Sequence, residues 1–392
     1  MLLALCGGFA LSQAFRTAAA ILAPPLQKAF GFSPQELGMF AGAFHFSFGA
    51  LQLLVGIGID VWGPRRTVLA VFPLTVVGAA LAATAQGIGQ LLLAQAVIGA
   101  GCAPAFLACT VFIARRFEPA RFASVSGAAM GIGSAGLLLT GTPLAWLVEA
   151  ASWRAGYVAL GIGAVLAWLA ILLVVREAPP GGERSSPLVA LRGYGELFSY
   201  AHTWGIVVLA LFTYASFLSL RGLWLGPLLV DRHGLSLVQA GNVALAVSVI
   251  GMVSPPLYGR FDPGDRTRRA WIVGWTLLVA ALYALMALTR SAFVDIATSL
   301  VTSLLGGYIV LQYSDVRGAY PVAMTGRAMA VFTMAMFLGV GLMQWLTGLV
   351  ATASRGWGVE LYAAVLGSIA AMLAAAAIAF SALPRPPVAP RG

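Results

Sequence analysis

Three ionisable side chains lie in stretches of this sequence from which water should be absent. Arg16 sits in ALSQAFRTAAAIL, His45 in GMFAGAFHFSFGA and Arg221 in ASFLSLRGLWLG. A guanidinium stays charged at any accessible pH and its fork of N–H groups matches a carboxylate or a phosphate. At the centre of a bilayer an arginine costs about 2.5–3.5 kcal/mol even on the lenient insertion scale. Two of them without fixed counter-ions suit an anion that arrives and leaves. His45 could be a third ligand or carry a proton, because imidazole in general changes charge near neutral pH. Gln13 lies one helical turn before Arg16, and Gln52 lies seven residues after His45 on the same face, so both could line one cavity. The blander alternatives are an arginine paired with a fixed acid or snorkelling to the surface, and a neutral histidine bonded to a neighbouring helix.

The acids narrow those alternatives. Of thirteen Asp and Glu, eight fall in segments assigned to the cytoplasmic side, and Glu36, Glu149, Asp231 and Glu360 fall outside. Asp295, about one turn into an apolar run, is the acid that could lie within the bilayer; it could pair with one of the arginines but not easily with both, and the sequence leaves open whether it does. No nucleophile–base pair, cofactor motif or metal-ligating cluster emerges, so neither catalysis nor a resident metal or cofactor is expected.

What must position these groups is a membrane bundle. The 392 residues are 60% hydrophobic and 9% charged, against roughly a quarter charged in an average soluble domain. A soluble enzyme, a nucleic-acid binder and a disordered chain are thereby excluded. Twelve apolar runs can each cross the hydrocarbon core, at 2–23, 37–57, 67–87, 90–114, 123–148, 156–175, 203–229, 238–258, 270–289, 292–312, 326–350 and 360–383. The first lacks a basic n-region and carries Arg16, so it reads as a retained helix and not as a signal peptide. Cys6, Cys102 and Cys109 lie inside apolar runs and are expected as reduced thiols.

With both termini cytoplasmic, 16 basic residues fall on the inner segments and 5 on the outer ones, leaving Arg16 and Arg221 within spans. That bias is the positive-inside rule, and it accounts for the net charge of +10 without a nucleic-acid partner. The polar stretch 176–202 is rich in Pro, Gly and Ser and divides the chain into a six-helix bundle at 1–175, a cytoplasmic linker, a second six-helix bundle at 203–384 and a tail at 385–392.

The halves echo each other at an offset near 203. Pro24, Gly31-Phe-Ser and Gly38 correspond to Pro227, Gly234-Leu-Ser and Gly241. Asp60, Gly63, Arg65 and Arg66 correspond to Asp262, Gly264, Arg268 and Arg269, and the Arg121–Gly133 spacing recurs as Arg327–Gly339. Parallel six-helix repeats are an architecture of rocking transporters. Arg16 and Arg221 fall at nearly equivalent depths in this repeat and would face one central cavity from opposite halves.

Several of these residues resemble the major facilitator superfamily. Gly56-Ile-Gly-Ile-Asp60-Val-Trp-Gly63-Pro-Arg65-Arg66 is similar to its signature in the loop between helices 2 and 3. Gln95-Ala-Val-Ile-Gly99-Ala-Gly101 is similar to its helix 4 signature, and Trp153-Arg154 matches a pair found in many bacterial members. Val61 follows Asp60 where the family has a basic residue. Gln95 replaces an Arg that is linked in the family to proton coupling. The resemblance implies an all-α fold of twelve helices in two pseudo-symmetric bundles, multi-pass in a bacterial inner membrane, working as a monomer. It implies a gate at the cytoplasmic helix ends, with Asp60 and Gly63 near Arg65, Arg66, Arg115 and Arg116. Family members that exchange organophosphate for phosphate likewise carry one Arg on helix 1 and one on helix 7. Tyr214, Trp224, Asn242, Tyr308, Gln312 and Gln344 are further candidate lining residues, because their helices line cavities in the superfamily. Tyr313 belongs with them.

The expected function is secondary active transport of a small organic or inorganic anion, of the carboxylate or phosphate class, as an exchanger or with protons as the coupling ion. The alternatives are efflux of neutral amphipathic drugs or metabolites, and a non-transporting sensor or scaffold on the same fold. The small-residue pattern Gly127, Gly131, Gly133, Gly136 and Gly141 and the methionines of the eleventh run both read as packing.

Overall fold

The structure is a computed structural model that describes residues 1–176, 194–260 and 263–384, without the side chains of 60, 119–124, 265–266 and 322–323. Most of the linker at 176–202 and the whole tail at 385–392 lie outside the described residues. Twelve helices are long and apolar enough to cross a membrane. They are α1 (Leu2–Phe30), α2 (Pro34–Ile59), α3 (Pro64–Ala83), α4 (Ile88–Arg116), α5 (Val125–Ala150), α6 (Trp153–Val174), α7 (Ala201–Arg232), α8 (Leu237–Gly259), α9 (Thr267–Leu288), α10 (Ala292–Ala319), α11 (Met324–Ala353) and α12 (Leu361–Ala382).

The repeat read in the sequence recurs as local geometry. α1 ends at Gly31 and α7 is followed by Gly234, both at φ +68°, a left-handed turn that glycine adopts without steric cost. Three residues on, α2 and α8 begin with the same device. Ser33 and Ser236 each accept from the backbone N–H three positions later, and Glu36 and Gln239 reach back to the capping residue's own N–H. The hydroxyl and the carboxylate or amide thus satisfy helix-end donors that would otherwise face a low dielectric.

Several spans are interrupted where side chains must be aimed. Pro227 cannot donate to its helix, and α7 widens into π turns at Leu220–Trp224 and Leu228–Arg232 on either side of it. Arg221 is in the first of these. α10 tightens into a 3₁₀ turn at Gly306–Tyr308. There Ser254 of α8 donates to the Leu304 carbonyl and accepts from the Gly307 N–H at 2.9 Å. The matching device in the first half is Gln52 of α2, whose Nε2 donates to the Ala103 carbonyl at 3.3 Å, where α4 is broken before Pro104.

The first six and last six helices meet along α1–α7, α2–α11 and α5–α8. Glycines permit this closeness. A Cβ on Gly38 would collide with the Gln344 carbonyl, one on Gly226 with the Ala20 carbonyl, and one on Gly241 would lie 3.2 Å from the Gly141 carbonyl. At the end of this contact the Gln35 N–H donates to Thr352 Oγ1 at 3.1 Å, and the Val238 N–H donates to Glu149 at 3.3 Å. The packing is concentrated in the half of the bundle away from both chain termini. Of the α5 glycines, Gly133 faces Phe9 and Gly136 the Ala10 carbonyl of α1.

Asp295 meets neither membrane arginine. It is fully buried and pairs with Arg232 Nη1 at 3.0 Å and His233 Nε2 at 2.7 Å. Arg232 also reaches Glu360 at 3.3 Å and donates to the Met286 and Thr289 carbonyls. The pairing of Asp295 with Arg16 or Arg221 that the sequence leaves open is therefore not made: the α7 end, α9, α10 and α12 are tied together around it. Breaking a buried pair on one side only leaves a charge stranded, at about 3–5 kcal/mol. Asp295→Asn is expected to lower the unfolding temperature of the purified protein clearly, and Asp295→Asn with Arg232→Gln to recover part of the loss. Equal unfolding temperatures for wild type and Asp295→Asn would refute this account of the cluster.

Candidate substrate site

Arg16 projects from the middle of α1 and is 4% exposed. Its guanidinium carbon lies 4.8 Å from the ring centre of Phe48 on α2 and 4.5 Å from that of Phe337 on α11. Such cation–π contacts offset part of the desolvation without neutralising the charge. Nη1 donates to the Tyr214 hydroxyl of α7 at 3.5 Å, and Nε is buried with no partner. Among the described residues Arg16 forms no ion pair. With rings against the guanidinium, its N–H edge is the part left for an incoming acceptor.

Other unsatisfied polar atoms gather around it. His45, 1% exposed, uses Nδ1 on the Ala41 carbonyl at 3.1 Å. A carbonyl only accepts, so Nδ1 carries the proton and Nε2 faces inward without a partner. The Gln344 amide of α11 lies beside His45, and both its oxygen and its nitrogen are buried and unpartnered. Gln13 Oε1 is in the same condition. Buried polar atoms are nearly always hydrogen-bonded. Arg16, His45 and Gln344 thus lie together with unmet donors and acceptors, and Gln13 stands one helical turn before Arg16 with its own amide oxygen unmet.

Arg221 is held differently. Nε donates to Ser248 Oγ on α8 at 2.9 Å, and Nη2 donates across to α5, to the Leu137 carbonyl at 3.1 Å and to the carbonyl and hydroxyl of Thr140 at 3.4 Å. Nη1 has no partner, and among the described residues no acid pairs with the group. Thr140 also meets Thr17 of α1 at 2.6 Å, so Arg221 lies on the Thr17 side of α1, whereas Arg16 points toward Tyr214. In this state Arg221 is a clasp between the halves.

The remaining expected residues are spread around this core. Trp224 donates to Thr347 at 2.9 Å, Asn242 accepts from Thr142 at 2.6 Å across α5–α8, and Tyr308 meets Thr276 at 3.0 Å. Gln312 accepts from Thr213 at 3.0 Å and leaves Nε2 unpartnered. Tyr313 donates to Met336. Gln52 supports the α4 break. At the expected gate, Arg65 donates to the Leu172 carbonyl at the end of α6 at 3.0 Å, Gly63 turns at φ +87°, and Arg66, Arg115 and Arg116 are exposed. The Asp60 side chain lies outside the described residues. Sequence reasoning missed Phe48, Phe337, Ser248 and Thr140. Phe48 alone carried a signal, standing one turn from His45.

Residues 5–339 match the sequence profile of the Major Facilitator Superfamily. The chain is 22% identical over 244 residues to a hexuronate transporter of Bacillus subtilis, covering 61% of this chain and 58% of that one. It is 24% identical over 157 residues to a probable sulfoacetate transporter of Cupriavidus necator, covering 40% of this chain and 36% of that one. The matches thus span less than two thirds of the length of these curated relatives. Among solved structures, a bacterial homologue of the human lysosomal transporter Spinster, inward-facing and unoccupied, aligns with TM-score 0.75 at 18% identity over 97% of this chain and 94% of that one. A D-xylose–proton symporter aligns with TM-score 0.76 at 15% identity over 98% and 97%. At these identities the likeness is one of fold. The profile match runs from the first helix into the eleventh, and on it the chain belongs to the major facilitator superfamily of membrane transporters.

Proposed function

We propose that this transporter moves a small anion across a bacterial inner membrane by alternating access, with Arg16 as the central ligand of the anionic group. The observation that carries this reading is the buried Arg16 edge, without an ion pair among the described residues and beside the unpartnered atoms of His45 and Gln344. An anion supplies charge and acceptors for the guanidinium and for the Gln344 N–H donors, whereas His45 Nε2 and the amide oxygens are acceptors and call for a proton or hydroxyl carried with it. In this reading His45 Nε2, unpartnered in the structure, takes up a proton with the substrate, and protons are the coupling ion. The names of the two curated relatives support an anion. The 16-to-5 distribution of basic residues supports cytoplasmic termini, and the close packing on the opposite side supports a state open toward the cytoplasm. In that state Arg221 holds the outer side shut. When the seam parts, its donors come free and it serves as the second anion ligand.

Ligand that binds only the folded protein raises its stability by mass action, by about 2.7 kcal/mol at a hundred times Kd. Purified protein screened against carboxylates, phosphates and sulfonates should be stabilised by one class, and Arg16→Ala should not respond to it. Should no anion stabilise the wild type, or Arg16→Ala respond equally, the arginine is structural and efflux of neutral amphipaths becomes the better reading. The seam gives a second test, with cysteines at 35 and 352 joined by a short bifunctional reagent. Arg221→Ala is expected to slow this cross-linking by about threefold or more, because the clasp no longer biases the closed seam. An unchanged rate would sink the clasp.

A further inference from the structure

Beside Arg16, the last six helices enclose a cavity of about 90 Å³ between α7, α8, α9 and α10. Tyr214 is its shared wall: the hydroxyl meets Arg16, and the residue also borders the void. The rim residues Tyr214, Phe217, Gly251 and Gly306 are partly exposed, whereas Val279 and Ser303 at the back are buried. Of these rim residues, Tyr214 is the one that also touches Arg16.

Its wall carries many hydroxyls, but their protons, that of Tyr214 apart, are already committed to the protein's own groups. Thr213 donates to the Leu209 carbonyl and Gln312, Ser216 to the Thr213 carbonyl, and Tyr283 to the Ser216 carbonyl. Thr302 donates to the Ser299 carbonyl and Ser303 to the Val247 carbonyl. Thr276 gives its proton to the Ile272 carbonyl, so Tyr308 must donate to Thr276. Every hydroxyl proton in the wall is committed except that of Tyr214, which stands at the Arg16 end. No charged side chain lines the cavity. A polyol brought here could donate to the wall's hydroxyl oxygens but would find few donors for its own, which is unfavourable, and a second anionic group would be buried without a cation, which is strongly so.

Resting on the reading of Arg16 as the anion ligand, we propose that this cavity receives the body of the substrate, and that the substrate is a monoanion with a compact apolar body. A cavity of roughly 150 Å³ lined by apolar side chains takes a benzene ring, so this smaller one fits a branched chain of roughly three to five carbons. That chemistry separates the expected ligand from a hexuronate, rich in hydroxyls, and from sulfoacetate, doubly charged.

The test is binding of acetate, isovalerate, benzoate and glucuronate to the purified full chain, by thermal shift or calorimetry. Burial is worth roughly fourfold in affinity per methylene, so isovalerate should bind at least tenfold tighter than acetate, with benzoate and glucuronate weaker than isovalerate. A Cβ on Gly306 meets nothing within 4 Å, so Gly306→Leu should fill the void, keep acetate binding and abolish the preference for isovalerate. Val279→Phe fills it from the back and replaces Gly306→Leu should that variant not fold. Equal affinities for acetate and isovalerate, glucuronate as the tightest ligand, or a preference that survives the filled cavity would each overturn the proposal while leaving the anion site standing. Should none of the four bind the wild type while a phosphate or sulfonate does, the monocarboxylate body is overturned. Should no anion of any class bind, the reading of Arg16 itself fails and this proposal with it.

Discussion

A guanidinium in a low-dielectric interior without a carboxylate is the constraint around which this molecule is arranged. The charge cannot be shed, so the surroundings must solvate it with whatever donates no proton. The two membrane arginines show the two available solutions. Arg221 is solvated by main-chain carbonyls and hydroxyls, which is a structural answer: the group is nearly satisfied and bridges two elements. Arg16 is given aromatic faces and one weak hydroxyl contact, which leaves the group under-solvated along one edge. That difference in completeness distinguishes the two arginines, although both look alike in sequence.

The internal repeat sets the frame within which that difference arises. Ser33 and Ser236, Gly31 and Gly234, and the bridging side chains Gln52 and Ser254 perform the same local tasks 202 or 203 residues apart. These tasks concern helix ends and helix breaks, which every half-bundle must satisfy in the same way. The halves diverge in the interior. The first contributes Arg16, His45 and Gln13, whereas the last contributes Tyr214, Gln344 and a cavity whose hydroxyls are turned to their own backbone. The proposed substrate site lies where the duplication has lost its symmetry.

Much of this was legible in the sequence because it is local. Apolar runs, loop glycines and capping serines are decided within a few residues, and the spans, the repeat and the family follow from them. The helices outrun their apolar segments, as α1 does by continuing through Pro24 and Pro25 to Phe30, because hydropathy registers the hydrocarbon core and not the flanking turns. What was not legible depends on how each helix is rotated about its axis and which helix faces it. Asp295 and Arg232 are 63 residues apart, Arg221 and Leu137 are 84 apart, and no periodicity reports either pairing. The rings at Phe48 and Phe337 were hidden for a further reason: in an apolar sequence, a phenylalanine that touches a cation cannot be told from one that packs.

The glycine seam away from the termini has an electrical consequence. Where a single added Cβ would collide with the opposing backbone, as at Gly38 and Gly226, the gap is narrower than a water molecule. A file of water through that half of the bundle would conduct protons or ions and drain the membrane potential. Where main chain meets main chain, as at Gly38 and Gly226, rotation of a side chain does not open the gap. While the seam is closed, this contact keeps water out of that half of the bundle, and a path for ions can open only in the part of the cycle in which the seam itself parts.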